Sequence, residues 1–191
     1  MSRRLPGMIC LAMLLASAAA YGRVDTGTRQ AARQAAPVPI TFAEGRISFQ
    51  APPGFTALTV AEIAVKAPGA GAPRQMVGNP GRTATISYDL MTDRANANAL
   101  EAARKHFTTT IGQALPGLKW VLNTVDKIGT RDWAHLEYTA PAGEQGVLYQ
   151  ILLIGVYDGR VLMFTFNSPV MEFPRNERAF RTSMATITAK P

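Results

Sequence analysis

From Leu118 to Asn167 the chain has strand character throughout, with turns and no helical period between the segments. Leu118–Ile128 leads through Gly129 to Trp133–Thr139, and Val147–Tyr157 and Arg160–Asn167 flank Asp158-Gly159. An Asp-Gly pair between two apolar runs is a strong hairpin signal, because such turns need positive φ at both central residues. Strands joined by short turns pair antiparallel, whereas parallel pairing needs a crossover of a dozen or more residues. The run Val147-Leu148-Tyr149-Gln150-Ile151-Leu152-Leu153-Ile154 is nearly all apolar, as expected of a central strand covered on both faces.

Helical periodicity occurs on either side of this block. Asn98 to Leu115 places Leu100, Ala103, Phe107, Ile111 and Leu115 on one stripe. Asn98 is the expected cap, Glu101 completes a capping box, and Pro116-Gly117 ends the helix. Pro174 to Ile187 predicts a closing helix with Phe180, Met184 and Ile187 facing inward. Upstream, Arg46–Gln50 alternates and runs into the Ala51-Pro52-Pro53-Gly54-Phe55 turn. Thr83 to Met91 alternates with Ala84, Ile86, Tyr88 and Leu90 on one face, and Val60 to Lys66 suits either a strand or a helical turn. The breaker-rich stretch 67–82 reads as loops inside one domain. Strands in runs rather than in βαβ alternation predict an α+β fold. Its antiparallel sheet has one mid-chain helix and one C-terminal helix packed on it.

The N-terminus reads as an address. Arg3 and Arg4 precede an apolar run from Leu5 to Leu15, and Ala16-Ser17-Ala18-Ala19-Ala20 supplies small residues for cleavage. A signal peptide over 1–20, cut after Ala20, is expected, and with it a periplasmic or secreted location. The apolar run is too short to span a bilayer. A twin-arginine signal is disfavoured by Pro6, and a lipoprotein cysteine at Cys10 lacks the small residues before it. Cleavage after Ala20 leaves no cysteine, hence no disulfide and no thiolate chemistry. Residues 21–39 carry Arg23, Arg29 and Arg33 against Asp25 with little to bury, so they read as a disordered linker. A single α+β domain follows over 40–191. Without Arg3 and Arg4 the net charge falls from +7 to +5. The basic character thus resides largely in the leader and linker, and no dense basic helix points to nucleic acid.

Catalytic and metal-binding patterns are sparse. His106 follows Arg104 and Lys105, whose charges repel a metal ion. His135 has Glu137 two residues on, on the same strand face, which supplies two ligands where a stable zinc site needs three or four. Ser48, Ser87, Ser168 and Ser183 lie in no nucleophile elbow. Gly69-Ala70-Gly71 and Gly78-Asn79-Pro80-Gly81 lack the lysine and helix of a phosphate loop. No catalytic, metal or cofactor residue is therefore assigned. Trp133, His135, Glu137 and Thr139 share one strand face, and Ala134, Leu136 and Tyr138 form the more apolar, core-facing one. The candidate partner-binding residues are Trp120, Trp133 and His135, since exposed aromatics anchor interfaces. Core burial of either tryptophan is the competing reading.

Taken in order, Ile47-Ser48-Phe49-Gln50-Ala51-Pro52-Pro53-Gly54-Phe55, Ile128-Gly129-Thr130-Arg131-Asp132-Trp133, the Asp158-Gly159 hairpin and Phe180 to Ile187 form a recognisable series. The chain resembles proteins of the PsbP/Mog-like fold, most of all bacterial DcrB-type exported proteins, over roughly 42–188. The resemblance implies a non-enzymatic accessory or binding role and carries over no catalytic residues. The expectation is an exported envelope protein that engages a protein partner, in an immunity or chaperone role in its sharper form. The alternative is an envelope-maintenance factor that binds lipid, peptidoglycan or a small ligand, with weak membrane or peptidoglycan contact through the basic linker. A hydrolase using His135 is the third reading.

Overall fold

The computed structural model describes residues 36–69, 72–95, 100–143 and 146–190. The expected signal peptide, most of the expected linker and the Asn98 cap lie outside these residues. The elements run β1 (Val38–Phe42), β2 (Ile47–Ala51), β3 (Thr56–Ala57), α1 (Val60–Lys66), β4 (Gln75–Gly78) and β5 (Thr85–Arg94). They continue with α2 (Leu100–Ala114), β6 (Lys119–Ile128), β7 (Arg131–Pro141), β8 (Val147–Tyr157), β9 (Arg160–Pro169), α3 (Phe173–Ala185) and β10 (Thr188–Ala189).

Strands β6 to β9 form the meander that their periodicity predicts. Each pairs antiparallel with the next, and β9 pairs in turn with β5. The main sheet has the order β3-β4-β5-β9-β8-β7-β6, and a second sheet has the order β1-β2-β10. Asp158 and Gly159 have φ of 51° and 65°, the doubly left-handed turn that the Asp-Gly pair announces. The fold class is α+β with antiparallel sheets, as expected.

Both faces of the main sheet are covered. On one, α2 lays Phe107 and Ile111 over Ala134, Leu136, Leu152 and Ile154. On the other, the small sheet and α3 enclose the larger core. There Phe42, Phe49, Tyr88 and Phe164 form an aromatic cluster, and Phe180 meets Phe166 at 5.5 Å and Phe55 at 6.3 Å. The expected core face of β7, Ala134–Leu136–Tyr138, packs into the smaller core, and the Trp133 face points into the larger one. A strand buried on both faces shows no clean alternation, so periodicity cannot rank its faces.

Two local readings change, and one left open is settled. Strand β1 starts at Val38, two residues inside the stretch expected as linker, with Pro39 on a sheet edge that tolerates a missing N–H donor. Strand β4 lies within the stretch 67–82 expected as loops; its four residues are too short to show a period, yet three of them are buried against β5. Val60–Lys66 is a helix. Thr59 Oγ1 accepts from the Glu62 amide and Glu62 Oε2 accepts from the Thr59 amide, a full capping box. No helix among the described residues is long and apolar enough to cross a membrane.

Candidate functional site

The three candidate residues do not share a surface. Trp133 is 1% exposed and lies against Phe164 at a centroid distance of 5.9 Å. It is a core residue, and its reading as a partner anchor is corrected. Trp120 sits on the opposite face of the sheet, half-buried under α2 and edge-on to Tyr138 at 5.4 Å. His135 is buried on the Trp133 side of β7. A protein reaching from outside finds none of the three as a free anchor.

His135 belongs instead to a polar chain that ties α3 to the sheet. Its Nδ1 lies 3.2 Å from Asp126 Oδ2 on β6, and its Nε2 lies 2.7 Å from Glu137 Oε1. Glu137 accepts both terminal nitrogens of Arg181 on α3, with Nη2 at 2.8 Å from Oε2, and the Tyr149 hydroxyl from β8. Arg181 also reaches Glu177 one turn earlier, at 3.4 Å. Burial alone would raise the Glu137 carboxyl. The contacts from His135, Arg181 and Tyr149 outweigh it and hold the group down at about 2. Burial and the bond to ionised Glu137 push the Tyr149 phenol up, so it stays protonated as the donor. The two imidazole nitrogens of His135 face different carboxylates, so the three groups diverge from any common point. Among the described residues no cluster of three His, Cys, Asp or Glu side chains is placed to hold a metal ion. Arg181 and Tyr149 are both bonded to Glu137, an arrangement that suits a fastening between α3 and the sheet.

The opposite flank of α3 is different. The helix runs from Pro174 in its first turn and buries Phe173, Phe180 and Met184, while Arg181 and Glu177 lean to the β7 side. Arg175, Arg178, Ala179, Thr182 and Thr186 lean the other way. There they line an open groove of about 710 Å³ against the end of β2 and the turn after it, Gln50 to Pro53. Arg175 and Arg178 are exposed and enter no ion pair with the described residues. The floor is chemically closed. Ser183 Oγ donates to the Gln50 carbonyl at 2.6 Å, the Gln50 amide donates to Thr186 Oγ1 at 2.8 Å, and Thr186 Oγ1 donates to the Ser183 carbonyl. A second cavity of about 110 Å³, beside Ser87, Asp89 and Thr165, has room for little more than a few waters. The site that sequence reasoning missed is therefore the arginine flank of α3. Its signal was present as Arg175 and Arg178 at i, i+3 spacing, but the inward stripe of the same helix drew the reading.

No family model matches the chain, and no curated protein matches it by sequence. Solved structures do. The cyanobacterial PsbP protein CyanoP of Synechocystis sp. PCC 6803 is similar at a TM-score of 0.57 and 14% identity, over 86% of this chain and 98% of that one. LpqN of Mycobacterium tuberculosis, described as involved in cell envelope biogenesis, is similar at 0.53 and 16% identity, over 80% and 90%. The Ran-binding protein Mog1p of Saccharomyces cerevisiae is similar at 0.51 and 12% identity, over 81% and 96%. At such identities the likeness is one of architecture, and function is argued from the site. The architecture shared with all three places the chain in the PsbP/Mog-like fold.

Proposed function

We propose that the chain is an exported, non-enzymatic accessory protein of the cell envelope that engages a protein partner through the outer flank of α3. The observation that carries this reading is the contrast between the two flanks of the helix. On one, Arg181 and Tyr149 both bond Glu137, and His135 lies 2.7 Å from the same carboxylate. On the other, two exposed arginines border an open groove with no partner among the described residues. An enzyme of this size would bring a base or nucleophile to a cavity, and the groove lining offers neither an acid, a histidine nor a cysteine. Export is supported by the charged, apolar and small-residue segments of 1–20. The likeness to DcrB-type exported proteins and an immunity or chaperone role belong to the same proposal.

The experiment is site-specific photocrosslinking in the native cell envelope, with benzoylphenylalanine at position 178 and, as a control, at exposed position 127 on β6. The expected result is one dominant protein adduct from position 178 that is missing from 127. Equal, diffuse labelling from both positions would end the reading.

A further inference from the structure

We infer that the groove between α3 and the Gln50–Pro53 segment receives an extended acidic segment of the partner protein, with its carboxylates held by Arg175 and Arg178. The inference rests on the partner-binding reading above and names the chemistry of that site.

Charge comes first. Among the groove's lining residues are two arginines and no acidic side chain. The chain also enters the described structure at Ala36 and Pro37, which line the same groove, shortly after Arg29 and Arg33 in the sequence. The upstream segment 21–35 carries three arginines against Asp25. Like charge makes it a poor occupant, whereas an acidic chain is favoured by both. Guanidinium groups bind carboxylates in a planar, two-point fashion that a lysine cannot reproduce.

Polar satisfaction decides between a small molecule and a chain. Small-molecule sites enclose most of the ligand and aim several unpaired polar groups at it. Here the Gln50 main chain, Ser183 and Thr186 already bond one another. The charged donors stand at the rim, on Arg175 and Arg178, with the exposed Gln50 and Thr182 side chains beside them, while Ala51, Pro52, Pro53 and Ala179 supply apolar lining. An extended peptide meets this arrangement: apolar side chains lie on the prolines, acidic ones rise to the arginines, and its backbone stays hydrated.

Length agrees. The groove follows α3 from Arg175 to Thr186, about 17 Å at 1.5 Å per residue. An extended segment of about five residues covers that distance.

The test uses fluorescence anisotropy with a fluorescein-labelled peptide of about eight alternating glutamate and valine residues. The expected result is saturable binding to the purified protein that weakens with salt. Arg175→Glu with Arg178→Glu weakens it about tenfold or more. Lys119→Glu with Lys127→Glu, an equal charge change on β6, leaves it within about twofold. Arg175→Lys with Arg178→Lys loses part of the affinity, since net charge is kept and the planar fork is not. All four positions are exposed, so melting temperatures confirm that the variants fold. Equal losses from both glutamate pairs would show diffuse charge attraction and overturn the inference. So would self-association that disappears in the Arg175/Arg178 variant while the peptide does not bind, since the occupant would then be a second copy. Tighter binding after Arg29→Ala with Arg33→Ala would place the upstream segment in the groove, with the same consequence. If the peptide fails while position 178 still crosslinks one envelope protein, the acidic chemistry falls and the partner-binding reading stands. If both fail, both fall.

Discussion

Arg181 on α3 meets Glu137 on β7 with both terminal nitrogens, one to each carboxylate oxygen, so the last helix is fastened to the main sheet by a two-point ion pair. The Glu137 side chain is 2% exposed and that of Arg181 is 37% exposed. The pair is thus half inside and half outside, and its worth depends on which member is removed. Deleting the arginine strands a buried carboxylate, whereas deleting both charges strands nothing.

Arg181→Leu is accordingly expected to cost about 2–3 kcal/mol, below the range for a fully buried pair because water reaches the arginine side. Arg181→Leu combined with Glu137→Gln should cost less than the two single changes added together. Urea unfolding of the four proteins of this cycle measures the coupling. Strict additivity would show that the pair is decorative and that α3 is held by its other contacts, Phe173, Phe180, Met184 and the Ser183–Gln50 bond among them.

The same carboxylate sets the acid limit of the fold. The Glu137 carboxyl is held down at about 2, against its ordinary 4.5. A carboxylate depressed in the folded state stabilises it fully above its ordinary value and loses that contribution as the pH falls towards the folded value. The predicted window therefore lies between about pH 4.5 and 2 and is worth on the order of 3 kcal/mol. Unfolding free energies taken from pH 6 to pH 2 should fall steeply in the wild type, and with a shallower slope in Glu137→Gln. Parallel slopes would assign the acid sensitivity to other carboxylates.

The capping box of α1 gives a local prediction. Thr59→Ala removes the acceptor for the Glu62 amide and the hydroxyl that donates to Glu62 Oε2, and keeps the backbone N–H of the reciprocal bond. A loss of about 1 kcal/mol is expected. Because α1 has seven residues and buries Ile63 alone, hydrogen exchange should speed up in α1 while β7 and β8 keep their protection. Uniform acceleration would mean that α1 unfolds only with the whole domain.

What the sequence made legible depended on local chemistry. Asp158-Gly159 fixes its own turn, the Phe107–Ile111 stripe selects its helix face, and Pro174 starts its helix, so the meander and both longer helices were visible in advance. Strands β1 and β4 were hidden because their order comes from pairing with β2 and β5, distant in space and silent in a window of four or five residues. The site was hidden for a related reason. Trp120, Trp133 and His135 stood out by residue type, but their exposure is set by α2 and α3, which fold over opposite faces of one sheet. Glu137 and His135 were paired correctly by their spacing, yet Arg181 lies 44 residues further on, a distance no local period spans. The groove combines β2 with α3, farther apart still.

Trp133 offers the last test, because its burial depends on the absence of a single carbon atom. The six-membered ring of the indole lies against Gly155 of β8, and a Cβ built there would sit 2.8 Å from Cζ3 and 3.0 Å from Cε3. Both atoms belong to a rigid ring that is itself held against Phe164, so neither can yield alone. Gly155→Ala must then push the ring into the aromatic cluster or part β7 from β8. Overpacking of this kind costs about 1–3 kcal/mol. The indole Nε1 has no hydrogen-bond partner among the described residues, so no polar contact there resists a sliding ring, and the strain should appear as disorder of Trp133 itself. Gly155→Ala is expected to lower urea stability by that amount and to weaken the near-ultraviolet circular dichroism of tryptophan. Peptide binding at the arginine groove, on the far side of α3, should be unchanged. Pairing Gly155→Ala with Trp133→Phe removes the outer ring of the indole and should recover part of the loss. If the double variant is no more stable than expected from adding the two changes, the clash between these residues is not what excludes a side chain at 155.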